Sequence, residues 1–309
     1  MADTPPRTGS PATHDTDLII IGGGPAGCAA ARTAASVGMR SVLIEPDTLC
    51  RNLYRIPALN NVLGGHTSGP ALADSITAEL KSTELCRVEL GRHVIELRAA
   101  DDHVAVTLDT GMRLTAPYAV VATGVAPLQP RDVPWITVPS GFTLPPLWQA
   151  DADGRTLLVL GGDRPIGTFL RAHPTTGTRL LVAYPETDEY KIEEIRDDPR
   201  VTLLPVAHLT LHLSAGATVR ADVVSRDGGR HTVTADAVHL SIGNAPTAPS
   251  GDLVRGADGY CPPTRQHSRV IVAGDLRSAR FQRIMTAFGS GSEAALHAYY
   301  AARELPIRD

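Results

Sequence analysis

Residues 17–27 decide the fold class, and they read Asp17-Leu18-Ile19-Ile20-Ile21-Gly22-Gly23-Gly24-Pro25-Ala26-Gly27. This stretch is a short apolar run followed by a GxGxxG turn, and an alanine-rich segment then continues to about Gly38. The order is typical of the strand, turn and helix that open a dinucleotide-binding βαβ unit. Residues 41–45 follow as the second parallel strand and end in Glu45. The order of these elements makes the glycine motif specific, because GxGxxG alone is a weak signal.

Each residue of this motif has a separate physical role. Gly22 permits the tight turn, Gly24 lets the backbone approach a pyrophosphate, and Gly27 allows close packing of helix and strand. The phosphates are expected at the positive end of the helix that begins around Pro25 and Ala26. Glu45 is expected to accept hydrogen bonds from an adenosine ribose.

A second βαβ unit starts at residues 157–160, continues through the glycine-containing stretch 161–167 and returns with the strand 179–183. The sequence therefore predicts an α/β fold with two Rossmann-like dinucleotide-binding domains. A long final helix is predicted over residues 284–302. The alternating stretches predict small antiparallel additions, at 104–108, 115–122, 201–213, 218–224 and 231–241.

Composition narrows the class of partner. The chain has 309 residues, a net charge of -4 and 43% hydrophobic residues, which suit two modest domains with sizeable cores. No basic run indicates nucleic acid, and no apolar run is long enough for a membrane span, so small molecules are the expected partners. Residues 1–15 are polar and lack the apolar segment of a signal peptide, which predicts a disordered leader on a cytoplasmic protein. The four cysteines are widely spaced, so neither a disulfide framework nor a metal site is predicted.

Three further segments carry a resemblance to a known family. The strand-like residues 119–122 end in Thr123-Gly124, residues 270–273 end in Gly274-Asp275, and residues 281–291 read Phe-Gln-Arg-Ile-Met-Thr-Ala-Phe-Gly-Ser-Gly. These motifs resemble the low-molecular-weight thioredoxin reductases, and the resemblance extends over nearly the whole chain after residue 16. It implies FAD as the cofactor at the first glycine motif.

The resemblance also implies a layout and further flavin contacts. The FAD domain would comprise residues 16–126 and 243–309, with a second nucleotide domain of residues 127–242 inserted into it. Such enzymes are usually homodimers, so the resemblance implies a homodimer for this chain as well. The residues that it adds to the flavin site, beside the Gly22–Gly27 loop and Glu45, are Asn52, Asn61, Thr123, Gly124, Asp275, Arg283 and Ile284.

The chain departs from that family at two places. The redox-active CxxC expected before the second glycine motif is absent, since residues 127–160 contain no cysteine. The third glycine of the second motif is replaced by Asp163, and the arginines expected after the next strand are replaced by an acidic stretch around Glu186. A carboxylate facing a diphosphate adds repulsion to a steric conflict. We therefore expect a damaged NADPH site, with Glu186 as the ribose ligand if NADH binds instead.

The sequence leaves the catalytic chemistry open. Cys50 is the remaining redox candidate, but it lacks the flanking motif of single-cysteine flavoproteins, so a structural role is the alternative interpretation. The main hypothesis is an FAD-dependent oxidase or dehydrogenase of a small organic substrate, and no catalytic base can be assigned. The alternatives are an NADH-dependent flavin reductase of quinones or small disulfides, and a non-catalytic FAD-binding partner protein.

Overall fold

The computed structural model describes residues 15–212 and 218–305. The predicted leader lies outside the described residues except for Asp15, whose backbone N–H donates to the carbonyl oxygen of Thr115.

The described residues form four α-helices and a larger set of mostly short strands. The helices are α1 (Pro25–Ser36), α2 (Gly69–Lys81), α3 (Pro165–Ala172) and α4 (Ile284–Ala301). The strands are β1 (Leu18–Ile21), β2 (Ser41–Glu45), β3 (Cys86–Leu90), β4 (Val94–Ala99), β5 (Val104–Leu108), β6 (Arg113–Ala116), β7 (Tyr118–Val121), β8 (Val125–Pro127), β9 (Ile136–Thr137), β10 (Thr156–Leu160), β11 (Arg179–Tyr184), β12 (Val201–His212), β13 (Val219–Ser225), β14 (Arg230–Ala235), β15 (Ala237–Leu240), β16 (Asn244–Pro246), β17 (Ser250–Gly251) and β18 (Val270–Val272).

The chain divides into two compact units. The first comprises residues 1–51, 75–124 and 246–309, and the second comprises residues 52–74 and 125–245. The first unit is thus interrupted twice in sequence. Among the described residues, no helix combines the length and apolarity that a bilayer crossing needs.

A parallel sheet in the order β18-β7-β1-β2-β3 forms the centre of the first unit. All four residues of β1 are buried, because the strand lies between β7 and β2 with both faces covered. A smaller sheet in the order β17-β4-β5-β6 packs with it into one hydrophobic core. This is the predicted first Rossmann-like sheet.

The second unit repeats the parallel arrangement around β10, which pairs with β11 on one side and β15 on the other. Its sheet continues through β12, β13 and β14, and β9 also pairs with β12. Hydrophobic clusters lie on its two faces, one around Leu158 and Leu160 and the other around Leu157 and Val159. This alternation follows from the opposite directions of successive side chains in a strand.

The structure corrects the prediction of purely antiparallel additions. Residues 115–122 divide at Pro117, and the second part becomes β7 of the first parallel sheet. Residues 231–241 divide at Asp236, and the second part becomes the parallel strand β15. Strand β12 pairs parallel with β11 at its start and antiparallel with β13 after a bulge near Val206. The alternation of side chains shows a strand but not the direction of its partner.

Candidate functional sites

The turn between β1 and α1 depends on glycines. Gly22 has a φ of +103°, and a Cβ there would lie 2.5 Å from the carbonyl oxygen of Ala122. A Cβ at Gly27 would overlap the carbonyl oxygen of Gly22. Only glycine therefore allows the chain to turn sharply at Gly22 and α1 to pack so closely on the turn.

Gly24 differs from these two glycines. Its φ is -73° and its ψ is -177°, a conformation that any residue adopts, and a Cβ there would meet no atom of the described residues within 4 Å. The space beside Gly24 is therefore open at the N-terminus of α1, where backbone N–H groups and the helix dipole favour a phosphate.

Glu45 is held in place by the same loop. Its Oε2 accepts a 2.6 Å hydrogen bond from the N–H of Gly23, and its Oε1 accepts one of 3.1 Å from the N–H of Asp47. Each carboxylate oxygen retains further acceptor capacity. The open cradle at Gly24 and the fixed carboxylate together fit the pyrophosphate and adenosine ribose of FAD.

The remaining elements of the first unit support this cradle. A Cβ at Gly291 would overlap the carbonyl oxygen of Ala26, so α4 and α1 approach each other at that point. The N–H of Gly274 donates to the Ser290 hydroxyl at 2.9 Å, which links the turn after β18 to α4. Asp275 follows in this turn, and Arg283 and Ile284 begin α4.

Thr123 and Gly124 follow β7. The Thr123 hydroxyl donates to the carbonyl oxygen of Thr247, and the Thr247 hydroxyl donates to that of Thr123 at 2.9 Å. Gly124 has a φ of +63°, and a Cβ there would meet no atom within 4 Å. The first unit thus leaves open space beside both Gly24 and Gly124.

Asn52 and Asn61 fall in residues 52–74, which cluster with the second unit. Both side chains are exposed, and Asn52 Oδ1 accepts a 3.2 Å hydrogen bond from Arg55. Their assignment to the flavin remains an expectation from the family resemblance.

Cys50 lies beside a second cysteine that the sequence did not associate with it. The Sγ atoms of Cys28 and Cys50 are 3.8 Å apart, and both side chains are buried. The Cys28 thiol donates to the carbonyl oxygen of Gly23 at 3.3 Å, and the Cys50 N–H donates to the same oxygen at 2.8 Å. A hydrogen bond with Cys50 and burial raise the pKa of Cys28 well above its usual range, so the Cys28 thiol stays protonated. These contacts support a packing role beneath the glycine loop.

The second unit repeats part of the first site. Gly161 has a φ of +97°, and a Cβ there would overlap the carbonyl oxygen of Ser241, as one at Gly22 would crowd that of Ala122. The Oδ2 atom of Asp188 accepts a 3.1 Å hydrogen bond from the N–H of Gly162. Asp188 therefore has the position that Glu45 has in the first unit.

Glu186, the expected ribose ligand, does not make this contact. The residues after β11 form a 3-10 turn over Glu186–Asp188, which exposes Glu186 and turns Asp188 inward. The acidic residue nearest to the strand end is thus not the one that reaches the glycine loop.

The loop before α3 differs from the loop before α1. Three residues, 22–24, separate β1 from α1, whereas four residues, 161–164, separate β10 from α3. The N–H of Asp163 donates to the carbonyl oxygen of Ser241 at 3.1 Å, and the Ser241 hydroxyl donates to the carbonyl oxygen of Asp163 at 3.1 Å. The Asp163 amide is therefore already used within the protein.

Lys191 joins the two carboxylates of this site. Its Nζ lies 2.8 Å from Asp188 Oδ1 and 3.9 Å from Asp163 Oδ1. Burial lowers the pKa of Lys191, but the hydrogen bond with Asp188 and the charges of Asp163 and Asp188 outweigh burial and raise it. The ammonium group is therefore charged and shared between two acids. The pyrophosphate of NADPH does not fit this arrangement of residues.

A cavity of about 680 Å³ adjoins Lys191 within the second unit. Apolar side chains, including Leu128, Val133, Trp135 and Ile242, form much of its wall. Its charged lining residues are Glu186, Asp188, Lys191 and Arg226, and Arg226 donates to Glu189 at 2.8 Å. No cluster of His, Cys, Asp and Glu suited to a metal ion occurs in the described residues.

Comparison with known proteins finds relatives over most of the chain. The family model for pyridine nucleotide-disulphide oxidoreductases matches residues 16–161. An alkyl hydroperoxide reductase subunit of Pseudomonas putida is 25% identical over 306 residues, which cover 92% of this chain and 57% of that protein. The ferredoxin–NADP reductase of Salinispora tropica is 26% identical over 92% of this chain and 94% of its own length. The chain thus spans little more than half of the first of these relatives.

Solved structures give the same fold. The thioredoxin reductase of T. acidophilum superimposes with a TM-score of 0.78 at 18% identity, covering 94% of this chain and all of that one. The thioredoxin reductase of Lactococcus lactis gives a TM-score of 0.75 at 19% identity, with the same coverage. The chain therefore has the fold of the thioredoxin reductases, and its residues 16–161 are similar to the pyridine nucleotide-disulphide oxidoreductases.

Proposed function

We propose that the protein oxidises or dehydrogenates a small organic substrate with FAD and passes the electrons to oxygen or another acceptor. The contrast between its two glycine loops supports this proposal most directly. The space beside Gly24 and Gly124 is open in the first unit, whereas in the second unit Asp163 and Lys191 lie within contact distance of Gly243. A flavin site without a working nicotinamide site needs a different source of electrons.

The chain's own residues would hold the cofactor in a defined order. The N-terminus of α1 binds the pyrophosphate over Gly24, and the Glu45 carboxylate accepts hydrogen bonds from the adenosine ribose. By family resemblance, Asp275 contacts the ribityl or phosphate portion, and the backbone at Arg283 and Ile284 meets the edge of the isoalloxazine. Bound FAD supplies the two-electron redox chemistry, and the protein positions it. In this proposal residues 16–126 and 243–309 act as the FAD domain.

The relatives' names do not identify the electron partner, because they include a hydroperoxide reductase subunit and a ferredoxin–NADP reductase. Thioredoxin reduction through a protein dithiol is not proposed, since residues 127–160 contain no cysteine. Cys28 and Cys50 do not replace that dithiol, because both are buried beneath the glycine loop. We further propose a cytoplasmic homodimer with small-molecule partners, following the family resemblance.

A second candidate function is an NADH-dependent flavin reductase of quinones or small disulfides. One contact favours it: Asp188 accepts from Gly162 as Glu45 accepts from Gly23. A carboxylate at this position suits a ribose with a free 2′-hydroxyl and repels a 2′-phosphate. In this candidate Asp188, and not Glu186, is the ribose ligand.

Anaerobic bleaching of the bound flavin tests the proposed function. The purified protein is titrated without oxygen against a panel of amines, alcohols, thiols and hydroxylated aromatics, with NADH and NADPH in parallel. We expect at least one organic compound to bleach the flavin and neither nucleotide to do so. Bleaching by NADH alone would replace the first proposal with the second candidate, and reduction of a thioredoxin would contradict both.

A further inference from the structure

In the second unit, charged side chains lie beside a backbone position that is open in the first unit. In the first unit, the residue three positions after β7 is Gly124, and a Cβ on it would meet no atom within 4 Å. The corresponding residue three positions after β15 is Gly243, whose added Cβ would lie 3.6 Å from Lys191 Nζ and 3.8 Å from Asp163 Oδ2. The same backbone position is thus open in one unit and in contact with two charged side chains in the other.

The covering side chains also use the polar groups that a nucleotide would need. Lys191 Nζ contacts Asp188 at 2.8 Å, and Asp188 is the candidate ribose ligand. The Asp163 N–H donates to Ser241, so it does not offer a hydrogen bond to a phosphate. The side chains of Lys191 and Asp163 are largely shielded from solvent, at 17% and 16% exposure, which strengthens the attraction between them.

Charge in the neighbouring cavity also disfavours a phosphorylated ligand. Arg226 is paired with Glu189, and Lys191 is shared between Asp163 and Asp188. The side chain of Glu186 lines the cavity and makes no ion pair among the described residues. A phosphate in this cavity would therefore lie near the Glu186 carboxylate, while both cations of the lining are already paired.

We propose that Lys191, held between Asp163 and Asp188, occupies space that a dinucleotide would need and thereby closes the second nucleotide site. The inference deepens the proposed function, because it identifies the residues that exclude nicotinamide nucleotides as electron donors. Lys191 and Asp163 act together. Removing Asp163 alone leaves Lys191 paired with Asp188, and removing Lys191 alone leaves two carboxylates facing the ligand.

Binding measurements on the FAD-loaded protein test this inference without turnover. Isothermal titration calorimetry uses NAD⁺ and NADP⁺ as probes, since neither can reduce the flavin. Wild type, Asp163→Gly and Lys191→Ala are expected to show no binding, or binding weaker than about 1 mM. The double variant Asp163→Gly/Lys191→Ala is expected to bind NAD⁺ at least roughly tenfold more tightly than either single variant, because like-charge repulsion and steric filling are both relieved.

Two matched variants separate this role from a structural one. Adding Asp188→Asn to the double variant is expected to remove the regained NAD⁺ binding, because the ribose loses its carboxylate. The control is Asp198→Asn, which removes one charge of the Asp198–Arg200 ion pair elsewhere in the same unit and should leave nucleotide binding as in wild type. Thermal unfolding of each protein shows whether it remains folded.

Several outcomes would overturn the inference. If the wild type binds either nucleotide with a Kd below about 100 µM, its second site is open, whatever the variants show. A folded double variant without any gain shows that Lys191 and Asp163 do not close the site. If the double variant does not fold, the Asp163→Ser/Lys191→Ser variant takes its place, with the same expectation. Substrate-driven bleaching of the flavin is measured separately, so failure of the proposed function remains distinguishable.

Discussion

Gly24 is the residue at which ligand binding can be separated from folding. Its backbone conformation accepts any side chain, and within the part of the chain that the structure describes no atom lies within 4 Å of an added Cβ. We predict that Gly24→Val folds normally but loses FAD, because the new side chain fills the space for the pyrophosphate. The measurement is the ratio of flavin absorbance to protein after purification with added FAD.

Gly289→Val is the matched control, since a Cβ at Gly289 in α4 also meets no atom within 4 Å. We expect this variant to keep its FAD. Yellow Gly24→Val protein with a full complement of FAD would contradict the assignment of the pyrophosphate to this loop.

Cys50 is the one residue that sequence reasoning left between a redox role and a structural role. The structure shows it buried, with a φ of 55° and its Sγ 3.8 Å from that of Cys28. We predict that Cys50→Ser changes turnover per bound flavin less than about twofold and lowers the free energy of unfolding by about 1–3 kcal/mol, because a hydroxyl is buried there. Complete loss of turnover in folded, FAD-loaded Cys50→Ser protein would instead require a thiol mechanism.

The raised pKa of Cys28 predicts a dependence of stability on pH. Below the ordinary cysteine pKa of about 8.5, the thiol is protonated in both the folded and the unfolded chain and contributes no change. Above it, the unfolded chain releases a proton that the folded chain keeps, so the free energy of unfolding falls as pH rises.

Urea unfolding at about pH 7.5 and about pH 9.5 measures this fall. We expect a smaller fall in Cys28→Ala, whereas Cys86 and Cys261, whose pKa values burial also raises, contribute equally to both proteins. If the free energy of unfolding falls equally in wild type and Cys28→Ala, Cys28 is not the source of the pH dependence.

At the scale of elements, the contact between α1 and α4 is the most demanding feature of the first unit. A Cβ at Gly291 would overlap the backbone of Ala26. We predict that Gly291→Val lowers the free energy of unfolding by about 1–3 kcal/mol or more and weakens FAD binding, because the helix that carries the phosphate loop must shift. Urea unfolding of Gly291→Val is compared with that of Gly289→Val. Equal free energies of unfolding in the two variants would contradict the close packing of α4 on α1.

Some of these elements could be predicted from the sequence, and others could not. Strands 41–45 and 157–160, and the final helix, could be predicted because short buried strands and capped helices have local signals. The direction of pairing of β7 and β15 could not, because it depends on partners far away in the chain. The extra residue before α3 could not be predicted, because a glycine motif indicates the turn but not the residue at which the helix begins.

The same limit applies to the candidate site. The glycines and Glu45 were predictable, because their spacing reflects one contiguous βαβ unit. Other contacts join residues that no local sequence pattern connects. They are the hydrogen bond from Gly162 to Asp188, the ion pair of Lys191 with Asp188, and the approach of Cys28 to Cys50. The acidic stretch after β11 was a usable signal, but only the 3-10 turn decides which carboxylate points inward.

At the scale of the whole molecule, we expect the first unit to bind FAD and the second unit to exclude nicotinamide nucleotides. The family resemblance implies a nicotinamide in the second unit as the electron donor. In this chain we expect the first unit to work with a different donor.

Anaerobic stopped-flow reduction of the bound FAD tests this claim most directly. The protein is mixed with saturating NADPH or NADH, and dithionite serves as the control that the flavin can be reduced. We predict rapid bleaching by dithionite and, with either nucleotide, reduction far slower than the roughly 1 s⁻¹ at the lower end of ordinary turnover. Complete bleaching by NADPH or NADH within about a second would contradict the claim, because it requires an open and productive nicotinamide site.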